Sequence, residues 1–374
     1  MFNLKLSDDQ EQFQKLAREF AAGEITPVAE SLDHSREFPS SIIARAWEIG
    51  LINFQIPEEL GGMGLGTLDS CVILEELAAG CSGIAGAFEA SAIAQLPLLA
   101  AGSDGQREAF LAPLLEKPSV AGYASQDATI YDITASKQGS DYLLSGRNTA
   151  LINGGQAAWY LVVAQDDAQP DASSVFIVPA DAPGLTVTSR VESFGRRSRH
   201  VCGMSLDSVR LTADNLIGGP GSAGRIIEKI LPTMHLMIAA GATGVASRAL
   251  HHAIEYSKQR QTFGRPIGQH QAVGFILADM AREIEASRLL IRQAAILVDQ
   301  AAEALDRAAA AKAFAQDVAM RVTTDAVQVF GGFGYSREYP VEKLMRDAKL
   351  YQICEQSSLE VKSAHARHLV GAAR

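Results

Sequence analysis

The sequence has few cysteines and little positive charge. Its 374 residues include four cysteines, Cys71, Cys81, Cys202 and Cys354, with no CxxC pair and no spacing to histidine that suits a metal. This pattern excludes a disulfide scaffold and a zinc motif, and it predicts reduced, mostly buried thiols in a cytoplasmic protein. The formal net charge of −10 argues against a general surface for nucleic acid or for anionic membranes.

Targeting signals and uninterrupted apolar runs are also missing. The first residues, MFNLKLSDDQEQF, are acidic and lack the hydrophobic core of a signal peptide. Residues 230–247 contain no Asp, Glu, Lys or Arg, but Pro232, Gly241 and Gly244 interrupt them. We therefore expect a helix buried among other helices there, with no membrane span.

The spacing of apolar residues changes twice along the chain, which predicts three domains in a mostly α, α+β protein. Residues 1–118 show helical spacing of apolar residues, with helices over Leu68–Ala79 and Gly83–Ala101. Residues 221–374 return to long helices, broken at Gly331–Gly332. Between them, residues 119–220 predict a small β-barrel or sandwich. Its expected strands are Val120–Ala124, Ile133–Lys137, Tyr142–Leu144, Trp159–Ala164, Ser174–Val178, Leu185–Thr188 and Cys202–Leu206.

The most informative stretch is Tyr339–Glu360, YPVEKLMRDAKLYQICEQSSLE. It predicts a helix over about Val341–Ile353, a short break, and a second helix. Ser357 and Glu360 have the spacing of a capping box, which marks the start of that second helix. Glu355 lies in the break, where a carboxylate can face a pocket that helix interiors do not easily reach. By spacing alone, a solvated loop acid is the commoner case.

This stretch resembles the C-terminal signature of the acyl-CoA dehydrogenases, closest to the medium-chain type, in which an E-G-T supplies the catalytic base. The similarity runs from about Leu4 to the C-terminus. It implies an N-terminal helical domain, a middle β domain and a C-terminal four-helix bundle. It also implies that Glu355 removes the α-proton of an acyl thioester while FAD accepts the hydride. Cys354 and His235, which stands where relatives usually have an Arg, are expected near the substrate.

The resemblance extends to one half of a FAD site. Arg260-Gln-Thr262-Phe263-Gly264 resembles the R-x-T-F-G motif that meets the pyrophosphate. In this family the FAD lies across a subunit interface, so a homodimer or homotetramer is implied. The cofactor-binding residues implied by the similarity are Arg260, Thr262, Phe263, His270, Gln271, Gln328, Gly331, Gly332 and Ser357.

The other half, at the flavin end, departs from the family pattern. The family's T-E-P-G-x-G-S-D loop corresponds to Ser125–Asp132, which is shorter and has no glycine. Its W-I-T-N-G-G corresponds to a segment with Ala150 for the Trp that covers the flavin and Ile152 for the Thr that bonds N5. Losing buried partners costs about 1–3 kcal/mol each, which together weakens FAD binding by powers of ten.

Several functions therefore stay open. The first is a FAD-dependent acyl-CoA dehydrogenase-like oxidoreductase with a remodelled flavin pocket, or a flavin-dependent oxygenase of the same fold. The second is a flavin-free, redox-neutral thioester enzyme such as an isomerase, lyase or cyclase. The third is a non-catalytic partner subunit in a hetero-oligomer with an intact homologue. The acyl carrier, CoA or a carrier protein, is also open.

Two further segments carry no clear functional pattern. Residues 196–200, Arg-Arg-Ser-Arg-His, are expected to form a solvated turn, with contact to CoA phosphates as the alternative. The alanine-rich stretch Ala308–Ala315 is a strong helix former and is interpreted as an ordinary helix.

Overall fold

A computed structural model describes residues 4–169 and 171–371. The N-terminal domain is helical, as predicted. Its first helix is capped by Ser7, whose side chain accepts a hydrogen bond from the Gln10 amide while Gln10 bonds back. The two helices expected between Leu68 and Ala101 form one helix with a kink at Cys81, where the backbone is extended. The helices are α1 (Asp8–Phe20), α2 (Ala29–Ser35), α3 (Ser40–Glu48), α4 (Thr67–Ala101), α5 (Asp104–Phe110) and α6 (Pro113–Glu116).

The middle domain is a single eight-stranded sheet. All seven predicted strands are present. Two of them are much longer than predicted, since Tyr142–Leu144 extends to Asp141–Ile152 and Cys202–Leu206 extends to Val201–Leu211. The strands are β1 (Gly122–Ala124), β2 (Thr134–Gln138), β3 (Asp141–Ile152), β4 (Trp159–Asp166), β5 (Ser173–Pro179), β6 (Leu185–Arg190), β7 (Val201–Leu211) and β8 (Leu216–Ile217). Their order is β6-β7-β3-β1-β4-β5-β8, and β2 also pairs with β3 and β4.

The C-terminal domain consists of long helices that pack against α4. They are α7 (Ala223–Gln259), α8 (Gln271–Asp299), α9 (Leu305–Phe330), α10 (Val341–Ile353) and α11 (Ser358–Leu369), with a short hairpin of β9 (Gln261–Thr262) and β10 (Arg265–Pro266) before α8. Helix α10 has the predicted bounds. The Ser357 hydroxyl accepts a hydrogen bond from the Glu360 amide, and the Glu360 carboxylate accepts one from the Ser357 amide, so the predicted capping box is present.

Helices α4 and α7 form the centre of the molecule. Both are long and apolar enough to cross a membrane by composition, yet 78% of the most apolar window of α4 and 72% of that of α7 are buried inside the protein. These helices are therefore core elements, which confirms the expectation for residues 230–247.

Candidate active site

Glu355 lies in the connection between α10 and α11, at the place predicted for it. Its side chain is only 8% exposed, so it is not the solvated loop acid that spacing alone favoured. The residue has a φ of 47° and Gln356 has a φ of 68°. Two consecutive non-glycine residues in the left-handed region turn the chain sharply, which directs the carboxylate towards the β domain.

The Glu355 carboxylate is held by donors from the middle domain. The Tyr123 hydroxyl donates to Oε1 over 2.7 Å, and the Ser125 hydroxyl lies 3.3 Å from both oxygens. Tyr123 is the central residue of β1 and Ser125 directly follows that strand. Burial, together with the Glu355 charge, raises the pKa of Tyr123 well above its usual value, so this hydroxyl is a permanent donor.

Arg199 supplies the positive charge beside Glu355. Its guanidinium lies 3.3 Å from Oε1 and donates to the Tyr123 hydroxyl over 3.2 Å. The side chain is 3% exposed, and Arg196 is fully buried. The expectation of a solvated turn over residues 196–200 was therefore wrong, because these guanidinium groups point inward to buried carboxylates. A run of cations at a strand turn gives no sign of which of them find buried partners.

The predicted substrate residues lie next to this carboxylate. The Gln356 side-chain carbonyl faces His235 Nε2 at 3.0 Å. Burial, together with the nearby Lys312 ammonium, lowers the pKa of His235 to about 3, so the ring is neutral at physiological pH. Its Nδ1 is buried and has no partner among the described residues. Cys354 is buried, and burial raises the pKa of its thiol to about 11, which keeps it protonated.

A second region of interest is a cavity of about 470 Å³ at the ends of α7 and α9. The Arg260 guanidinium lies 5.9 Å from the centre of the Phe333 ring. A Cβ added at Gly331 or Gly332 would meet nothing within 4 Å, so a ligand can approach the backbone closely there. The cavity is lined by Tyr256, Arg260, Thr262, Ile267, Val329, Phe330, Gly331, Gly332 and Phe333.

The remaining predicted cofactor residues do not line this cavity. His270 Nε2 lies 3.2 Å from the Thr262 hydroxyl and braces the hairpin before α8. Phe263 is 97% exposed, and Gln271 and Gln328 are exposed on α8 and α9. Ser357 stands apart, since its hydroxyl is used in the cap of α11. No residue lines both this cavity and the surroundings of Glu355 among the contacts described above.

Some main-chain polar groups of the segments aligned with the flavin end are bound within the protein. The Ala150 amide donates to the Asn148 side chain over 2.7 Å, and the Ser125 amide donates to the Ala150 carbonyl over 3.0 Å. Ile152 is 2% exposed in the core of the sheet. Neither Ala150 nor Ile152 offers an aromatic face or a side-chain donor. The two regions thus differ towards FAD: the cavity at Arg260 presents a guanidinium, aromatic rings and open glycine backbone, whereas Ala150 and Ile152 present no stacking face and no side-chain donor.

Sequence patterns did not identify Tyr123, Ser125, Arg199 and Lys312 as partners of Glu355. The first three come together only in the folded sheet, where the Arg199 side chain, from the loop before β7, reaches the Tyr123 hydroxyl of β1. Lys312 did carry a signal, since a single cation in a stretch otherwise made of alanine and phenylalanine is unusual. On a helix with an apolar face, such a lysine needs a buried acceptor.

Comparison with known proteins identifies the protein family to which the chain belongs. Three family models match the chain: the N-terminal domain of acyl-CoA dehydrogenase over residues 7–118, its middle domain over residues 123–209 and its C-terminal domain over residues 224–358. This chain therefore belongs to the acyl-CoA dehydrogenase family, whose members are FAD-dependent oxidoreductases.

Individual relatives cover nearly the whole chain. A cyclohexane-1-carbonyl-CoA dehydrogenase of Geobacter metallireducens is 35% identical over 99% of both chains. A probable medium-chain specific acyl-CoA dehydrogenase 2 of Caenorhabditis briggsae is 33% identical over 98% of this chain and 91% of its own. The structure of butyryl-CoA dehydrogenase from Megasphaera elsdenii superposes with a TM-score of 0.94, at 33% identity, over 99% of this chain and 100% of the other. The predicted family and fold class are confirmed.

Proposed function

We propose that this protein oxidises an acyl thioester with Glu355 as the α-proton base and with bound FAD. The main support for this proposal is the position of Glu355, a buried carboxylate on a sharp turn between two helices. Such a group is shielded from water and can approach a thioester α-carbon if the acyl chain lies beside the turn. Membership of a family of acyl-CoA oxidoreductases supports the reaction type.

The two oxygens of Glu355 are unequal, and we assign the α-proton to Oε2. Oε1 accepts from Tyr123, Ser125 and Arg199, whereas the bond described for Oε2 is a long one from Ser125, at 3.3 Å. An oxygen with fewer donors keeps a lone pair for an incoming proton. Tyr123 and Arg199 hold the other oxygen and so orient the group.

FAD, when bound, supplies the hydride acceptor for the β-carbon. Arg260, Thr262 and the backbone at Gly331 and Gly332 would hold its phosphates and adenosine, because a guanidinium and open glycine backbone lie at one cavity. Since this cavity and Glu355 share no lining residue, we propose that a second subunit completes the site, as a homodimer or homotetramer. The acidic, cysteine-poor chain suits a cytoplasmic location.

The side chains at the flavin end favour a second candidate, a redox-neutral reaction at the thioester α-carbon. Ala150 and Ile152 provide no stacking surface and no donor for a flavin. Proton removal and return by Glu355 need neither, so isomerisation or elimination remains chemically available to this site. An oxygenase and a subunit that completes another chain's FAD site are the further outcomes.

The deciding experiment is α-proton exchange in D₂O, without an electron acceptor, for acyl-CoA esters from butyryl-CoA to palmitoyl-CoA. Wild-type protein should exchange the α-proton, and Glu355→Gln should lower the rate at least about 1000-fold, since the amide is not a base. Glu338→Gln, which changes an exposed acid of the preceding loop, should exchange normally. An active Glu355→Gln variant would rule out the base.

The visible absorption spectrum of the same preparations separates the two candidates. Bound flavin, or saturable binding of added FAD, supports the oxidoreductase. A colourless protein that exchanges protons but ignores FAD supports redox-neutral chemistry. Purification with an intact homologue, and no exchange by this chain alone, would favour the partner-subunit function.

A further inference from the structure

The turn that carries Glu355 has an unusual backbone. Glu355 and Gln356 both have positive φ values, 47° and 68°, and neither is glycine. Two consecutive residues that have a Cβ adopt the left-handed region of φ and ψ only when the surrounding structure compensates the strain. The groups that bond to this turn are therefore the groups that decide where the Glu355 carboxylate points.

Lys312 makes the main contacts with the backbone of this turn. It lies on α9, is fully buried, and its ammonium donates to the carbonyls of Glu355 and Gln356, the latter over 2.9 Å. Lysine is among the residues least often buried, because desolvating its charge is costly. One helical turn further along α9, the Gln316 amide donates to the Tyr351 carbonyl at the end of α10.

Two other parts of the fold hold the same turn from different sides. The Asp127 carboxylate, from the loop after β1, accepts the Gln356 amide at 3.0 and 3.3 Å. His235, on α7, faces the Gln356 side chain at 3.0 Å. Every polar group of Gln356 named here has a partner in a different element, so the turn is fixed by long-range contacts and not by its own sequence.

We propose that Lys312 is a positioning residue, which fixes the direction of the Glu355 carboxylate by donating to the two consecutive main-chain carbonyls of its turn. Its effect on turnover rests on the proposed role of Glu355 as base. Its effect on the turn does not, since the hydrogen bonds exist whatever reaction the carboxylate performs. Asp127 and His235 bind the amide and the side chain of Gln356, whereas Lys312 binds the Glu355 carbonyl, so loss of Lys312 lets the Glu355 part of the turn relax towards unstrained backbone angles.

The first test is Lys312→Met, which keeps the length of the side chain and removes its donors. We expect kcat for α-proton exchange to fall about 100-fold with KM for the acyl-CoA unchanged, since displacing a reacting group by about 1 Å costs this much. A second readout is amide hydrogen exchange of residues 353–358 by mass spectrometry, which should become at least about 10-fold faster. Lys349→Met, an exposed lysine on α10 bonded to Gln352, is the matched control and should change neither.

If the Lys312→Met variant does not fold, chemical rescue of a second variant tests the same proposal. Lys312→Ala leaves a space that n-propylamine fills atom for atom, so added n-propylamine should restore proton exchange saturably. 1-Propanol fills the same space with a single donor and should restore less. Equal rescue by both compounds would mean that Lys312 only fills space, and would overturn the proposal.

The outcomes separate the two proposals. One outcome is that wild-type protein exchanges protons through Glu355 while Lys312→Met has the same kcat and the same amide exchange rates. In that case the positioning role of Lys312 is wrong, and the proposed function still stands. If wild-type protein exchanges no α-proton, the proposed function fails, and the amide exchange of residues 353–358 still decides the role of Lys312.

Discussion

At the scale of single residues, the carboxylate of Glu355 depends on one buried cation. Arg199 is 3% exposed and forms its ion pair with Glu355 at 3.3 Å. Two charges removed from water stabilise each other, but removing one leaves the other without compensation in a medium of low polarity. The pair therefore couples the stability of the protein to the integrity of the candidate active site.

Replacing Arg199 by Met should lower the free energy of unfolding by about 3 kcal/mol, because Glu355 stays buried without its cation. The double variant Arg199→Met with Glu355→Gln should lose less than the sum of the single variants, since neither charge of the Arg199–Glu355 pair is then left without the other. Urea denaturation followed by circular dichroism measures all three. Arg282→Met, which removes an exposed pair with Asp279, should stay within about 0.5 kcal/mol. Additive losses would contradict the buried pair.

At the scale of elements, the ends of α7 and α9 create the cavity assigned to the adenosine half of FAD. The stacked rings of Tyr256 and Phe330, 4.0 Å apart, hold the two helices together at its base. Arg260 follows directly after α7, and Gly331 begins the turn after α9. The site is thus built from two helix ends and depends on their packing.

Arg260→Ala should weaken FAD binding about 10- to 100-fold, since a charged hydrogen bond to phosphate contributes about 1.5–3 kcal/mol. Gly332→Leu should weaken it further, because the new side chain would occupy the open space beside the backbone. Titration with FAD, followed by flavin fluorescence, measures both. Lys258→Ala, on the exposed last turn of α7, is the control. Unchanged affinity in both variants would exclude this cavity as the adenosine site.

At the scale of the whole molecule, Asp347 joins the three domains. Its carboxylate accepts the Ser82 hydroxyl of α4 at 2.8 Å, the Arg196 amide of the β domain at 2.5 Å and the Lys343 ammonium of α10 at 2.6 Å. Burial alone would raise the pKa of Asp347, but Lys343 and the other donors more than offset it, so the pKa lies below its usual value of 3.8. The domains are therefore held by a buried ionic junction.

Asp347→Asn should lower the free energy of unfolding by about 3 kcal/mol at neutral pH, because it breaks a buried network that includes the Lys343 cation. A carboxyl group whose pKa is lower in the folded than in the unfolded protein stabilises the folded protein at pH values above its unfolded pKa. The difference between wild type and variant should accordingly be full at neutral pH and should decrease as the pH falls below 3.8, towards the lower pKa of Asp347 in the folded protein. Urea denaturation across this range measures it, with exposed Asp279→Asn as the control. A pH-independent difference would contradict the assignment.

Local patterns in the sequence determined the helical N- and C-terminal regions, seven of the strands and both helix ends around Glu355, but they divided α4 into two helices at its kink. Period, capping residues and breakers act over a few residues, so the bounds of α10 and the capping box at Ser357 could be predicted. The other three strands, β8, β9 and β10, have two residues each and no period to detect. Resemblance to relatives added Glu355 and four residues of the Arg260 cavity, which composition alone would not have distinguished from surface residues: Arg260, Thr262, Gly331 and Gly332.

Only the tertiary structure decided what surrounds Glu355. Tyr123 and Lys312 lie far from Glu355 along the chain, and they meet it because the β domain and α9 both pack against the same turn. Burial likewise depends on packing, which is why the cluster around Arg199 was mistaken for a solvated turn. The chain encodes its elements through neighbours in sequence, whereas the environment of a charge depends on neighbours in space.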